Sequence, residues 1–105
     1  MTASIVYLQN MYRDDYYPDF LVDKIKARLE QLAQFLQAGP QDNEAVQRKL
    51  DEMTLAINEI QDEFYEHDSE LETVARDCIA ETTEQILQAF GVDIDLETAL
   101  RERDW

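Results

Sequence analysis

The residues best suited to chemistry are carboxylates placed at helical spacing on two successive segments. Glu59, Glu63 and Glu66 fall within about 60° of one another on a helical wheel. Glu81 and Glu84 form a similar strip on the next segment. Carboxylate oxygens are the ligands that Mg²⁺ and Ca²⁺ prefer, so these acidic strips are candidate cation sites. The same pattern is also typical of a solvated acidic face that holds no ligand.

Two Glu-x-x-Glu pairs, Glu63/Glu66 and Glu81/Glu84, resemble the paired motif of all-α nucleotide pyrophosphohydrolases. In that family two helices offer carboxylates to Mg²⁺, which holds a triphosphate and activates water. The resemblance implies a Mg²⁺-dependent hydrolase as an alternative function. Among 24 acids in 105 positions about five pairs at this spacing are expected by chance, and only three occur. Coincidence therefore explains the motif better.

His67 and Cys78 are the only histidine and the only cysteine. His67 lies four positions after Glu63, on the same helix face, which suits a metal site or an acid–base pair. A di-iron carboxylate bundle needs Glu-x-x-His twice, and one histidine cannot supply that. We expect His67 to continue an apolar seam at a corner and to hydrogen-bond the turn. Cys78 lies on an inward stripe, where a thiol behaves as a small apolar group.

Half of the ten aromatic residues lie within the first twenty positions. Tyr16 and Tyr17 stand there beside aspartates, and tyrosine next to charge is typical of protein–protein hot spots. A short N-terminal segment also needs such side chains to cover a small bundle. Both roles stay open, because tyrosine buries its ring while its hydroxyl remains hydrated.

The elements that position these residues are predicted to be helices. Apolar residues recur at steps of three and four, and only two glycines and two prolines interrupt the chain. Ser69 and Glu72 form a capping box, and Gly91 is a stop signal. The predicted helices are 4–12, 18–37, 43–68, a fourth between Ser69 and Gly91, and 95–103. We expect one all-α domain over 1–105, a compact bundle of four to five helices with short connections and antiparallel neighbours.

This bundle leaves the placement of the acidic strips open. Each strip lies about 130° from the apolar stripe of its own helix, turned the same way round the axis. Two antiparallel helices would then present strips that either converge on one groove or turn apart. Convergence would create a site for Mg²⁺ or Ca²⁺, and we otherwise predict no cofactor.

The net charge of −15 limits the partners. Such a surface repels phosphate backbones and anionic membranes, so we expect no direct nucleic-acid or membrane partner. The chain shows no signal peptide or apolar membrane span, and its single cysteine suits a reducing compartment, so a cytoplasmic location is expected. A basic protein partner, a bound cation or plain solubility remain as explanations of the charge.

Three blocks of the chain resemble a family of small bacterial all-helical proteins known only as a domain of unknown function. The blocks are MYRDDYYPDFLVDK at 11–24, EFYEHDSELETVARDCIAE at 63–81 and RERDW at 101–105, and the similarity covers nearly the whole chain. The resemblance implies a compact cytosolic protein and no mechanism. It also implies that the blocks form one unit with a shared polar cluster: Tyr16, Asp19, Asp23, Tyr65, His67, Glu70, Glu72 and Arg76. The same residues would alternatively be helix caps and ion pairs, such as Arg76 with Glu72.

The leading hypothesis is a non-enzymatic binding or regulatory protein, of the inhibitor or immunity type, that acts on a basic protein partner. Its expected contact residues are Glu59, Glu63, Glu66, Glu81, Glu84, Tyr16 and Tyr17. No nucleophile elbow or glycine-rich phosphate loop occurs, so no catalytic residue is assigned. The alternatives are the Mg²⁺-dependent hydrolase and a structural homodimer formed through the tyrosine-rich segment; otherwise the protein is a monomer.

Overall fold

Five helices make up the computed structural model, which describes residues 5–105. In order they are α1 (Gln9–Tyr12), α2 (Asp19–Gln37), α3 (Asn43–Glu66), α4 (Thr73–Ala89) and α5 (Leu96–Ala99). No strand occurs in the described range, and the four connections span at most six residues. The prediction of an all-α bundle with short connections is confirmed.

Helix α2 lies at the centre of the bundle. It packs antiparallel along α3, and it also contacts α1 and α4, while α5 bridges α3 and α4. The predicted apolar stripes of α2 and α3 are buried and belong to one connected core. Complete burial of one leucine or isoleucine contributes about 1.5–3 kcal/mol, so these stripes hold the bundle together. The radius of gyration of 13.3 Å is that of a compact chain of this length.

Aspartate side chains cap the start of two helices. Asp42 accepts a hydrogen bond from the Ala45 N–H at 2.8 Å, and Asp95 accepts one from the Thr98 N–H at 3.2 Å. Each bond satisfies a backbone donor that would have no partner in the first helical turn. Pro18 precedes α2 instead of forming its first residue, one position from the prediction.

The predicted capping box at Ser69 and Glu72 is wrong. Helix α4 begins at Thr73, with Glu72 at the N-cap and no side-chain cap. Ser69 is buried instead, and its hydroxyl donates to the Tyr16 carbonyl at 2.8 Å. The Ser69 hydroxyl therefore bonds to the N-terminal segment, whereas the capping-box pattern predicts a bond to the first turn of the helix.

Helix α3 ends in a reverse turn that requires a left-handed residue. The Ser69 N–H donates to the Phe64 carbonyl at 2.9 Å, the Asp68 N–H donates to the Tyr65 carbonyl at 3.2 Å, and Asp68 has φ 57°. Helix α4 ends with the same pair of bonds around Gly91, at φ 66°. Gly91 was predicted as a stop signal, whereas the equivalent turn at Asp68 has no glycine to indicate it.

His67 does not lie on the inward seam of α3, contrary to prediction. Because α3 ends at Glu66 and the chain reverses at Asp68, the imidazole is turned out to solvent. Its Nδ1 lies 2.9 Å from the Glu63 carbonyl, so the expected hydrogen bond to the turn is present. Cys78 is buried on the inward face of α4, as predicted.

The first and last helices are shorter than predicted. Leu8 adopts φ 54°, which prevents a helix from running through residues 5–8, and the first predicted position, residue 4, lies outside the described residues. Helix α5 ends at Ala99, and turns replace the predicted helix as far as residue 103. Within residues 5–105, no helix combines the length and apolar character needed to cross a bilayer.

Candidate functional site

A cavity of about 620 Å³ opens at the end of the bundle where the N-terminal segment, the α3–α4 corner and residues 104–105 meet. We call it the corner cavity. Its volume lies in the range of about 300–1,000 Å³ that is typical of ligand sites. Besides the buried Tyr17, three aromatic side chains line it, together with four carboxylates and one guanidinium. They belong to Tyr16, Tyr65, Trp105, Asp14, Glu70, Glu72, Asp104 and Arg76.

Hydrogen bonds to its backbone N–H and carbonyl hold Tyr16 in the cavity wall. The Asp14 carboxylate accepts from the Tyr16 N–H at 3.0 Å, and Ser69 donates to the Tyr16 carbonyl at 2.8 Å. The next residue, Tyr17, turns inward and is only 3% exposed. Its ring packs edge-on against Tyr16 at 5.2 Å and Phe64 at 6.3 Å. Tyr17 thus anchors the segment in the core, and Tyr16 presents its ring at the surface.

The segment that leads to Trp105 is hydrogen-bonded to one residue of α3. The Asn58 side chain donates to the Glu102 carbonyl at 2.8 Å and accepts from the Asp104 N–H at 3.1 Å. These two bonds fasten residues 102–104 to the middle of α3, and Trp105 follows them into the cavity wall. The Arg103 guanidinium lies 5.7 Å from the centre of the indole ring.

The wall contributed by the corner is strongly acidic. Glu70 and Glu72 line the cavity together with Tyr16. Burial raises the pKa of the Tyr16 hydroxyl, and the charges of Glu72 and Glu70 raise this pKa further. Arg76 is the only cation of the wall, and the pairing with Glu72 that its spacing suggests is not formed. Four carboxylates against one guanidinium leave the cavity with an excess of negative charge.

The apolar side chains of the same wall are unusually accessible. Tyr65 is 50% exposed, Val74 is 43% exposed and Tyr16 is 40% exposed. They are three of the six large hydrophobic residues that are exposed within residues 5–105. Exposed apolar groups gathered in one place, and rimmed by charge, mark interaction sites more often than single ones do. Rings beside carboxylates form a surface that suits an organic cation.

The two acidic strips lie apart, which answers the question left open by the sequence. Glu59 and Glu63 line the groove between α2 and α3, where Lys24 pairs with Glu63 and Arg28 lines the same wall. Across α3 and α4, both fully described, no Cα atom of one helix comes within 8 Å of a Cα atom of the other. Within residues 5–105, no three histidine, cysteine or acidic side chains are grouped to hold a metal ion.

The strip on α4 faces a different neighbour. Glu81 lines a small cavity of about 80 Å³ under the N-terminal segment, together with Cys78. Burial raises the pKa of the Cys78 thiol, which disfavours a reactive thiolate. Glu84 on α4 and Glu66 on α3 are exposed and line none of the cavities described above.

The predicted polar cluster divides into two groups. Tyr16, Tyr65, Glu70, Glu72 and Arg76 all line the corner cavity, as does Tyr17.

The other members of that cluster lie elsewhere. Asp23 accepts a hydrogen bond from the Tyr12 hydroxyl at 2.5 Å. Burial, then Asp23 and Asp19, raise the pKa of Tyr12. His67 packs edge-on against Phe20, with ring centres 5.0 Å apart.

Sequence reasoning missed several residues of the cavity. Asp14, Val74, Asp104 and Trp105 were not proposed as site residues, although all four line the wall. The signal for the last two was the RERDW block, which the family resemblance had already grouped with the corner. Nothing in the helical periodicity indicates that residues 104–105 return to the end of α3.

Comparison with known proteins gives a family and no activity. Residues 1–105 match the model of a family described only as one of unknown function, DUF5713. No curated protein and no solved structure matches the chain. The resemblance noted from the three sequence blocks is therefore confirmed over the full length. The chain belongs to DUF5713, a family of unknown function.

Proposed function

We propose that this is a non-enzymatic, cytoplasmic binding protein of the inhibitor or immunity type, which captures a basic protein partner at the acidic end of its bundle. The observation that carries the proposal is the corner cavity, where carboxylates without ion-pair partners stand beside exposed aromatic rings. Aromatic anchors with a charged rim are the usual composition of an interface hot spot.

The distribution of cations supports this choice of surface. Helices α2 and α3 carry five of the nine lysines and arginines, and two of these, Lys24 and Arg28, line the groove that contains Glu59 and Glu63. Helix α4 carries one, Arg76. A basic partner would thus meet fewer competing cations at the corner and α4 than along the groove between α2 and α3. Complementary charge of this kind raises association rates and makes them dependent on salt.

The proposal is tested with fluorescein-labelled hexaarginine as a probe and labelled hexaglutamate as its control. Fluorescence anisotropy should show saturable binding of hexaarginine by the intact protein, with an affinity that falls as salt is raised past physiological strength. Hexaglutamate should not bind. Absence of saturable hexaarginine binding at low salt would contradict the proposal.

The Mg²⁺-dependent hydrolase gains no geometric support. It requires Glu63, Glu66, Glu81 and Glu84 around shared ions, whereas the first of these is paired with Lys24 and the two helices are separated. A thermal-shift screen with Mg²⁺, Mn²⁺ and Ca²⁺ tests this alternative, since a ligand of the native state raises its stability. The mass in solution tests the homodimer.

A further inference from the structure

We infer that the corner cavity is the anchor site for one arginine side chain of the basic partner. This inference rests on the proposed function and specifies which residues of the acidic surface carry recognition. It requires three things of the cavity: ring faces for a flat cation, carboxylates that are free to accept from it, and room for a side chain.

The ring faces are present, and this chain already uses one of them in the proposed way. The Arg103 guanidinium lies 5.7 Å from the centre of the Trp105 ring. Tyr16 and Tyr65 add two more rings to the same cavity, and they are 40% and 50% exposed. A planar guanidinium stacks on such rings, whereas the compact and strongly hydrated ammonium of lysine gains less from them.

The carboxylates are free to accept hydrogen bonds. Within residues 5–105, neither Glu70 nor Glu72 forms an ion pair, and Glu72 gives no side-chain cap to α4. Both line the corner cavity together with Tyr16, whose ring would receive the cation. A guanidinium can stack on a ring and donate in its own plane to carboxylates at the same time.

Other surfaces of the molecule meet these conditions less well. The α2–α3 groove near Glu59 and Glu63 already holds Lys24 and Arg28, and no aromatic residue lines it. The cavity beside Cys78 measures only about 80 Å³. A partner arginine therefore finds rings, unpaired carboxylates and space together at the corner.

The experiment is a titration of ¹⁵N-labelled protein with the blocked tripeptide Ala-Arg-Ala, followed by two-dimensional amide NMR. At millimolar peptide, shifts should saturate and concentrate on the amides of Tyr16, Tyr65, Glu70 and Val74. The indole N–H of Trp105, the only tryptophan, should move with them. Blocked Ala-Lys-Ala should cause the same pattern with about 2- to 5-fold weaker affinity, because the ring contribution is smaller.

Variants distinguish binding of arginine in the corner cavity from attraction by the overall negative charge of the protein. Tyr65→Ala should weaken the tripeptide about 2- to 5-fold, and the double variant Glu70→Gln/Glu72→Gln should weaken it about 10-fold. The matched control, Glu44→Gln/Glu97→Gln, removes the same charge from exposed positions on α3 and α5 outside the corner cavity, and should change the affinity less than about 2-fold.

Arg76 provides a test that a folding defect cannot imitate. Because it is the one cation of the wall, Arg76→Gln should tighten tripeptide binding about 2- to 5-fold at low salt. Weaker or unchanged binding by this variant would count against the anchor.

The outcomes also separate the anchor from the proposed function. If hexaarginine binds but the tripeptide shifts spread along α2 and α3, the anchor is wrong and acidic capture stands. The same holds if the cavity pair and the control pair lose affinity equally. If hexaarginine does not bind at all, both the anchor and the proposed function are wrong.

Discussion

Replacing Asp68 by glycine is expected to stabilise the protein, although the change introduces a glycine next to a helix. Asp68 has φ 57°, in the left-handed region, and closes the reverse turn that leads into Glu70 and Glu72. This conformation costs an L-residue about 1–2 kcal/mol, with aspartate at the low end of that range. Glycine avoids this cost, but it adds about 0.4–1 kcal/mol of conformational freedom to the unfolded chain. The difference between the two terms favours Asp68→Gly by about 0.3 kcal/mol, and by at most about 0.6 kcal/mol.

The second reverse turn supplies the opposite experiment. Gly91 occupies the equivalent position after α4, at φ 66°, and a Cβ atom added there would meet no atom within 4 Å. The cost of Gly91→Ala therefore comes from the backbone alone. Alanine brings the strain of the left-handed conformation and removes the extra freedom of glycine in the unfolded chain. The free energy of unfolding should therefore fall by about 0.5–1 kcal/mol. Two positions with the same hydrogen-bond pattern should thus respond in opposite directions to gaining and losing glycine.

Urea unfolding followed by far-UV circular dichroism measures both changes, with equal m-values showing that only stability has altered. For a chain of this size the expected shifts in melting temperature are about 1–2 °C upward for Asp68→Gly and about 2–8 °C downward for Gly91→Ala. Asp68→Asn is the control, since asparagine removes the charge from the helix C-terminus but keeps the tolerance for this conformation. Loss of stability in Asp68→Gly equal to that in Gly91→Ala would refute the reasoning.

Three further changes test the contacts that position the cavity and the C-terminal turns. Ser69→Ala removes the buried hydrogen bond to Tyr16 and should lower the free energy of unfolding by about 1 kcal/mol in urea. Asn58→Ala should release residues 102–104, so that the emission of Trp105 shifts to longer wavelength without global unfolding. Burial raises the pKa of Asp51, but hydrogen bonds from Arg101 and Gln47 outweigh it and lower this pKa below 3.8. The unfolded chain therefore takes up the proton first as pH falls. Asp51→Asn should cost about 0.5–1 kcal/mol at pH 7, and the difference from the parent should vanish below the folded pKa.

The helices were predictable because their signals are local. The apolar steps of α2 and α3 and the stop at Gly91 act over a few residues, and each is found where the sequence places it. The capping prediction failed because a residue that is distant in the sequence forms the hydrogen bond that the local pattern assigns to the helix start. Ser69 has the sequence context of a helix cap, but its hydroxyl bonds to Tyr16, 53 positions away. Leu8 could not be identified as a left-handed residue, since its type is rarely found there.

The corner cavity was predictable only in part, and for a related reason. The resemblance of three sequence blocks to a family grouped five residues that line the cavity, and no spacing along one helix relates them. These residues are Tyr16, Tyr65, Glu70, Glu72 and Arg76. Residues from three separate segments share this wall, so no periodic pattern relates them. Periodicity instead drew attention to the acidic strips, because residues of one helix face share a spacing whether or not a neighbouring helix neutralises them.

Neutralisation by neighbouring cations is what distinguishes the dense acidic strip of α3 from the proposed recognition site at the corner. Glu63 belongs to the most regular strip in the sequence, yet α2 places Lys24 against it and Arg28 along the same groove. A cation from a partner would have to displace charges that the protein already supplies. Glu70 and Glu72 belong to a shorter acidic run at a helix corner, where no ion pair forms and two tyrosine rings stay exposed. The binding free energy of a basic partner depends on the carboxylates that stay unpaired after folding. The corner should therefore bind a cation of the partner more strongly than the strip on α3 does.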